Sequence, residues 1–427
     1  MQVALFFGGS ISLSISRELF TALRLFLTAH GATAFALGVH QVLLAWLSIG
    51  VVGLSASEVG WVQAAGLLPN IAFMLVAGVW ADRGRPALIM AAAQTGLLVA
   101  YGWLAALVWL DSLSFAGLVV YAVGVGCANA FLQPVREKII GELSRHSLQV
   151  KITRASIVQF TLQSLGVLFA SLSEQVSLLM VCLAQLGFTA LALVSLLQLH
   201  RSPAFAGIAF GGIDGHNPMA DFRRGLQAAF KDKGVRQLLL LVAFNGFMHM
   251  GLFLVAIPVM ARDSYGFNAV QYGFLQLSFV VGMLVAYFTL LRQPVLRYPG
   301  RGALFSLLYT AIAGYGLSRE PTYAGLYLLI IFWGWIAGYS STHCRVTLQS
   351  MARPEQKGRF MSLYQVALFG MAPLGALVTG YAISVVPLAK LFIIMSAASV
   401  AVSILLMLGG ALWKVEQAAP SETPKPS

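Results

Sequence analysis

The residues able to do chemistry in this chain are few, and most are uncharged. Four histidines, His30, His40, His249 and His343, sit inside long apolar runs. Histidine titrates near pH ~6.5, so each could carry a proton or hydrogen-bond a polar cargo. His249 and His343 form the candidate proton-coupling pair. Helical spacing gathers other polar groups beside them. His30 and Gln41 are separated by about three turns and so share a face. Asn129, Gln133 and Arg136 line one face of a second run. Asn245 and His249 are an i, i+4 pair, and so are Tyr339 and His343. In hydrocarbon such side chains are costly and turn toward a bundle interior or a wet cavity. His30, Gln41, Asn129, Gln133, Asn245, His249, Tyr339 and His343 are therefore the candidate contacts for a small-molecule substrate. The competing role for each is inter-helix glue, worth about 0.6 kcal/mol.

What is missing narrows the chemistry further. No Asp or Glu lies in the middle of an apolar run; all 15 fall at run ends, in connections or in tails. Carboxylate proton relays inside a bilayer are thereby excluded, and neutral or anionic cargo is favoured over polycations. There is no His-Glu-x-x-His and no mid-run Lys, so neither metalloprotease nor Ser/Lys chemistry is available. The chain is read as no enzyme, with no cofactor and no metal. Cys127, Cys182 and Cys344 lack metal-ligand spacing and read as small buried hydrophobes.

The elements that must position these residues follow from composition. Of 427 residues, 59% are hydrophobic and only 10% charged, too few charges to clothe a water-facing surface. Mean hydropathy is +0.82. A bilayer core needs about 20 apolar residues per crossing helix. The sequence supplies twelve such runs, of which Ala303–Leu317 is the shortest. Period-2 alternation is absent, so a β-barrel is excluded. The expectation is an all-α polytopic membrane protein with twelve transmembrane helices.

Charge placement orients the runs. The net charge of +12 is not gathered into a nucleic-acid-binding patch. Of the 27 Lys and Arg, only Arg262, Arg319 and Lys390 lie in the odd-numbered connections. The rest fall in the even-numbered ones or the termini, which places both termini in the cytoplasm of a cell-membrane protein. The expected organisation is a cytoplasmic segment over 1–24, a six-helix bundle over 25–199, and a linker over 200–235. A second six-helix bundle over 236–413 and a tail over 414–427 follow. In the linker, Phe222, Leu226 and Phe230 recur at helical spacing beside basic residues, as in a helix lying on the inner leaflet. The halves echo one another: Gly60-Trp61-Val62-Gln63 returns as Gly273-Phe274-Leu275-Gln276. Lys151, Ser156 and Gln159 return as Lys357, Ser362 and Gln365.

One segment has a family signature. Gly78-Val79-Trp80-Ala81-Asp82-Arg83-Gly84-Arg85-Pro86 resembles the loop 2–3 motif of the major facilitator superfamily, although its Arg-Gly-Arg spacing is one residue short. Gln133-Pro134-Val135-Arg136, Gly358-Arg359-Phe360-Met361-Ser362-Leu363 and Trp333-Gly334-Trp335 resemble its siderophore and drug exporter branch, near enterobactin exporters. The family's mid-run Arg in span four and its Gly-Pro motif in span five are both missing. The resemblance implies two pseudo-symmetric six-helix bundles, with spans one, four, seven and ten lining a central cavity. It also implies alternating access and a monomer. Asp82, Arg83, Arg85, Arg136 and Arg359 become candidate gating residues. The implied activity is export of a small amphipathic molecule, siderophore-like or drug-like, with proton coupling. The alternatives are an importer or a lysolipid flippase and, from another class, a non-transporting membrane sensor or scaffold.

Overall fold

The computed structural model describes residues 9–83, 86–142, 148–202, 205, 226–227, 229–292, 297–352 and 357–416. Among the described residues every regular element is helical. Hydrocarbon offers a backbone amide no water, so an apolar run long enough to cross must bond to itself. Six long helices make up the first half: α1 (Gly9–Trp46), α2 (Ala56–Arg83), α3 (Pro86–Trp109), α4 (Phe115–Glu142), α5 (Leu148–Ser171) and α6 (Leu178–Arg201). The second half has α7 (Lys233–Asp263), α8 (Ala269–Arg292), α9 (Pro299–Ser318), α10 (Tyr323–Met351), α11 (Lys357–Val385) and α12 (Leu388–Gly409). Nine of these, judged on the described residues, are long and apolar enough to cross a membrane.

Helix ends follow the local chemistry. Ser177 opens α6 by accepting from the Met180 amide at 3.3 Å, and Asp232 opens α7 by accepting from Val235 N at 3.0 Å. Pro299 starts α9, where its missing N–H costs nothing. Gly410 closes α12 in the left-handed conformation, φ 72°.

Two features depart from the simple run pattern. α1 begins at Gly9, well upstream of the apolar run that opens near Leu25. α7 is not one regular helix: residues Asn245–Met250 form a π-helical turn between α-helical pieces, and Leu47–Val51 forms another beyond α1. The expected linker helix can be followed only at residues 226–227 and 229–231. Phe222, Arg223 and Arg224 lie outside the described residues.

The chain divides into two compact units. One is Met1–Pro218 with Phe267–Phe274; the other is Met219–Gly266 with Leu275–Ser427. Within the first, α1 packs on α5 and α6, α4 on α2 and α3, and α3 on α6. Within the second, α7 packs on α11 and α12, α10 on α8 and α9, and α9 on α12. The same five pairings thus recur six helices later.

Glycines let the crossings close. A Cβ on Gly38 would sit 2.1 Å from the Gln163 carbonyl oxygen, and one on Gly166 would sit 2.1 Å from that of Phe35, so α1 and α5 interlock backbone to backbone. In the second unit Gly246 and Gly375 do the same for α7 and α11, at 2.1 Å from Leu368 O and 1.9 Å from Phe247 O. Without a hydrophobic drive between helices in lipid, such close approach supplies the dispersion energy that holds them.

At one end of the second unit, the segment after α12 docks on its neighbours. Arg301 lies between the rings of Tyr298 (4.0 Å) and Trp413 (4.9 Å) and donates to the Trp413 carbonyl at 3.2 Å. At the other end, the Tyr265 hydroxyl donates to the Pro321 carbonyl at 2.6 Å. Partial burial, then the nearby Glu320 carboxylate, push that phenol's pKa up.

Candidate functional site

In the first unit, α1 is buried almost all round. Through the middle of the helix Leu37, His40 and Gln41 are the half-buried residues. Gln41 accepts from Gln163 of α5 at 3.2 Å. On α4, Asn129, Gln133 and Arg136 are all half-buried along the expected face. Arg136 donates to Gln159 of α5 at 3.4 Å. Asn129 and Gln133 make no side-chain hydrogen bond among the described residues. An amide left without a partner in hydrocarbon costs several kcal/mol, about 4–8 on the alkane scale. His30, by contrast, is 3% exposed and lies flat on Phe26, ring centroids 5.9 Å apart. The face it shares with Gln41 meets different neighbours at different depths.

In the second unit, the expected stripe on α7 splits. Asn245 and His249 both fall in the π-helical turn, whose wider i→i+5 winding displaces i, i+4 neighbours from α-helical register. Asn245 stays half-buried and reaches Ser340 of α10 at 3.5 Å. His249 is buried and shares a 2.9 Å hydrogen bond with Ser399 of α12, with Phe244 edge-on at 5.2 Å. On α10, Tyr339 is half-buried and stacks between Trp335 (5.2 Å) and His343 (3.9 Å). His343 is 3% exposed. Its Nδ1 lies 2.9 Å from the Tyr339 carbonyl, which can only accept, so Nδ1 carries the proton. The imidazole fills the space over Gly302 of α9, where a Cβ would come within 1.9 Å of it. The half-buried candidates are therefore Gln41, Asn129, Gln133, Asn245 and Tyr339, while three histidines are packed inside their units.

Among the gating candidates, Arg136 is placed as above. The side chains of Asp82, Arg83, Arg85 and Arg359 lie outside the described residues.

The structure also gathers residues that spacing alone does not connect. His40 Nδ1 is 2.8 Å from the Tyr121 hydroxyl of α4, and Tyr101 of α3 packs at 6.2 Å from Tyr121. Gln185 of α6 donates to Ala36 O at 2.9 Å, and Gln94 of α3 donates to Thr33 at 2.6 Å. α6, α9 and α12 look apolar in sequence, yet their few polar residues face inward: Thr189, Ser306, Thr310, Ser399 and Ser403 are buried. Their outer faces are aliphatic, with Leu408 of α12 80% exposed. One local signal was readable: Ser55-Ala56-Ser57-Glu58 is a capping box. Ser55 N and Oγ reach Glu58 Oε2 at 2.9 and 2.6 Å.

Two six-helix units with matching internal pairings and a half-buried amide stripe are now in view. The model of the Major Facilitator Superfamily matches residues 5–376. The chain belongs to that superfamily. It is a multi-pass membrane protein with the fold of facilitator transporters. A mutant of the nucleoside transporter NupG superimposes with TM-score 0.73 at 12% identity, covering 91% of this chain and 99% of that one. The human organic anion transporter MFSD10 (TETRAN) gives 0.64 at 16%, covering 91% and 99%. A POT family transporter in complex with 5-aminolevulinic acid gives 0.72 at 12%, covering 92% and 96%. At these identities the likeness shows the fold alone. No curated protein sequence matches significantly.

Proposed function

We propose that this superfamily member is a secondary active exporter of a small amphipathic molecule, neutral or anionic, of siderophore-like or drug-like size. The observation that carries the reading is the Asn129–Gln133 pair: two half-buried amides one turn apart on α4, without side-chain partners among the described residues. With Gln41 they give the first unit amide donors and acceptors and no carboxylate, and in the second unit Asn245 and Tyr339 offer an amide and an aromatic face. That set suits a flat, polar, uncharged or anionic cargo. Transport proceeds by alternating access, as in transporters built from two parallel repeats. The recurrence of the same five helix pairings in each unit supports this. An inward proton supplies about 2.3 kcal/mol per 100 mV.

Of the three buried histidines, His249 and His343 take a different part in this reading from the one their sequence positions suggest. His249 holds α7 to α12 and His343 fills the α9–α10 seam. Cargo contact belongs to the half-buried residues. The test is dye efflux from proteoliposomes under an imposed pH gradient, using an amphipathic anionic fluorophore. Asn129→Ala with Gln133→Ala is expected to raise the apparent KM about 5- to 10-fold, the loss of roughly one hydrogen bond, with normal membrane yield. Unchanged kinetics would refute the site, and accumulation of dye driven by the opposite gradient would replace export with uptake.

A further inference from the structure

A groove of about 710 Å³ opens between the first turns of α2 and α4, lined by Ser57, Glu58, Trp61, Ala65, Phe115 and Val120. Trp61 and Val120 are each 55% exposed. With the termini inside, this is the outer end of the first unit. The charge there has one sign. The connections over 47–57, 110–114 and 172–177 contain Asp111 and Glu174 but no Lys or Arg, and Glu58 itself opens α2. Glu58 makes no ion pair among the described residues. Its Oε2 is occupied by the Ser55 amide and hydroxyl, which fix the carboxylate and leave Oε1 for another donor. A carboxylate at the water–hydrocarbon edge attracts a cation, and these connections supply no Lys or Arg to compete for it. Beside it stands an indole, the aromatic face that binds ammonium best, and below it an apolar trough runs past Ala65 and Val120.

We propose that the groove holds an outer-leaflet phospholipid with a primary ammonium headgroup, a phosphatidylethanolamine. The ammonium donates to Glu58 Oε1 beside Trp61, and an acyl chain follows the trough. The inference uses the membrane placement of the chain and none of the transport reading, so the two can fail separately.

Native mass spectrometry of the full-length protein, equilibrated with equal phosphatidylethanolamine, phosphatidylcholine and phosphatidylglycerol, tests it. The ethanolamine lipid should be retained about tenfold over the glycerol lipid, the preference a charge-assisted hydrogen bond confers. Glu58→Gln should abolish the preference. Glutamine retains an acceptor for the Ser55 cap, so the helix start survives, and an unchanged thermal melt confirms that. Equal retention of all three lipids would overturn the proposal, as would an ethanolamine preference that persists in Glu58→Gln. Choline lipid held as strongly as ethanolamine lipid would overturn the hydrogen-bonding assignment. Displacement of the lipid by millimolar free ethanolamine would overturn the lipid as occupant.

Discussion

A histidine surrounded by hydrocarbon has two ring nitrogens to satisfy, and how it does so fixes what it can do. His249 gives Nε2 to Ser399, which is itself fully buried on α12. His343 gives Nδ1–H to the carbonyl one turn behind it and packs its ring between Tyr339 and Gly302. Both hydrogen bonds run to protein atoms within the second unit. Ser399 Oγ already donates to the Met395 carbonyl, so it accepts from His249 Nε2–H, and Ser399→Ala leaves that N–H without its acceptor. The expected cost is about 0.6–1.7 kcal/mol, the span seen for inter-helix hydrogen bonds in membranes. It should appear as a lower melting temperature in detergent, with transport per folded molecule unchanged within twofold. A selective loss of transport at full stability would instead make His249 part of the transport cycle. Residue type and spacing were enough to find the polar positions. They could not tell a stripe from a strut, because the partner that decides lies on another helix about 150 positions away for His249.

At the scale of elements, the helices are legible mainly from length and apolarity, which define nine crossings among the described residues. Their contacts are not. Gly38 and Gly102 look alike in sequence, each a glycine in an apolar helix. A Cβ at Gly38 would strike the α5 backbone at 2.1 Å, whereas one at Gly102 would meet nothing within 4 Å. Two substitutions therefore have opposite expected outcomes. Gly166→Leu wedges α5 from α1 and should cost 3 kcal/mol or more in rough terms, given that overpacking alone costs about 1–3 and here the obstacle is backbone. The measurement is the yield of monodisperse protein by size-exclusion chromatography, expected to collapse. Gly102→Ala should be neutral or raise the melting temperature, since alanine favours helix by about 1 kcal/mol over glycine. If both behave alike, the interlocking of α1 and α5 is wrong. The π-helical turn in α7 was equally hidden. Its residues, Asn245 to Met250, carry the run's polar pair, but polar residues sit in regular turns as well, and composition does not specify a change from i→i+4 to i→i+5 bonding. That turn is why an i, i+4 pair expected to share a surface divides between α10 and α12.

For the molecule as a whole, the repeat was legible only in fragments: a Gly-aromatic-x-Gln echo and three polar positions at one offset. The packing makes it complete at the level of helices, since each pairing in one unit has its counterpart in the other. Sequence identity between halves can decay while the pairings persist, because lipid demands only small residues at crossings and apolar ones outside. Orientation rests on different physics. Each Lys or Arg near an anionic inner leaflet is worth about 1 kcal/mol, and only three of the 27 lie in the odd-numbered connections; on that ground we propose that both termini face the cytoplasm. Thiol labelling can read it directly. Cys182 and Cys344 are buried and Cys127 is half-buried, so replacing all three with alanine gives a quiet background. Into it, Ser112→Cys and Ser264→Cys introduce exposed thiols in the connections α3–α4 and α7–α8, and Lys231→Cys introduces one before α7. In intact cells a membrane-impermeant maleimide should label the first two within minutes and leave the third unmodified until the membrane is permeabilised. The reverse pattern would invert the molecule. It would place the basic connections outside and move the Glu58 groove to the inner leaflet, while leaving every helix pairing in place. Labelling of Ser112→Cys and Ser264→Cys from opposite sides would be more destructive. It would mean an odd number of crossings between α4 and α7, and the six-plus-six division would fall with it.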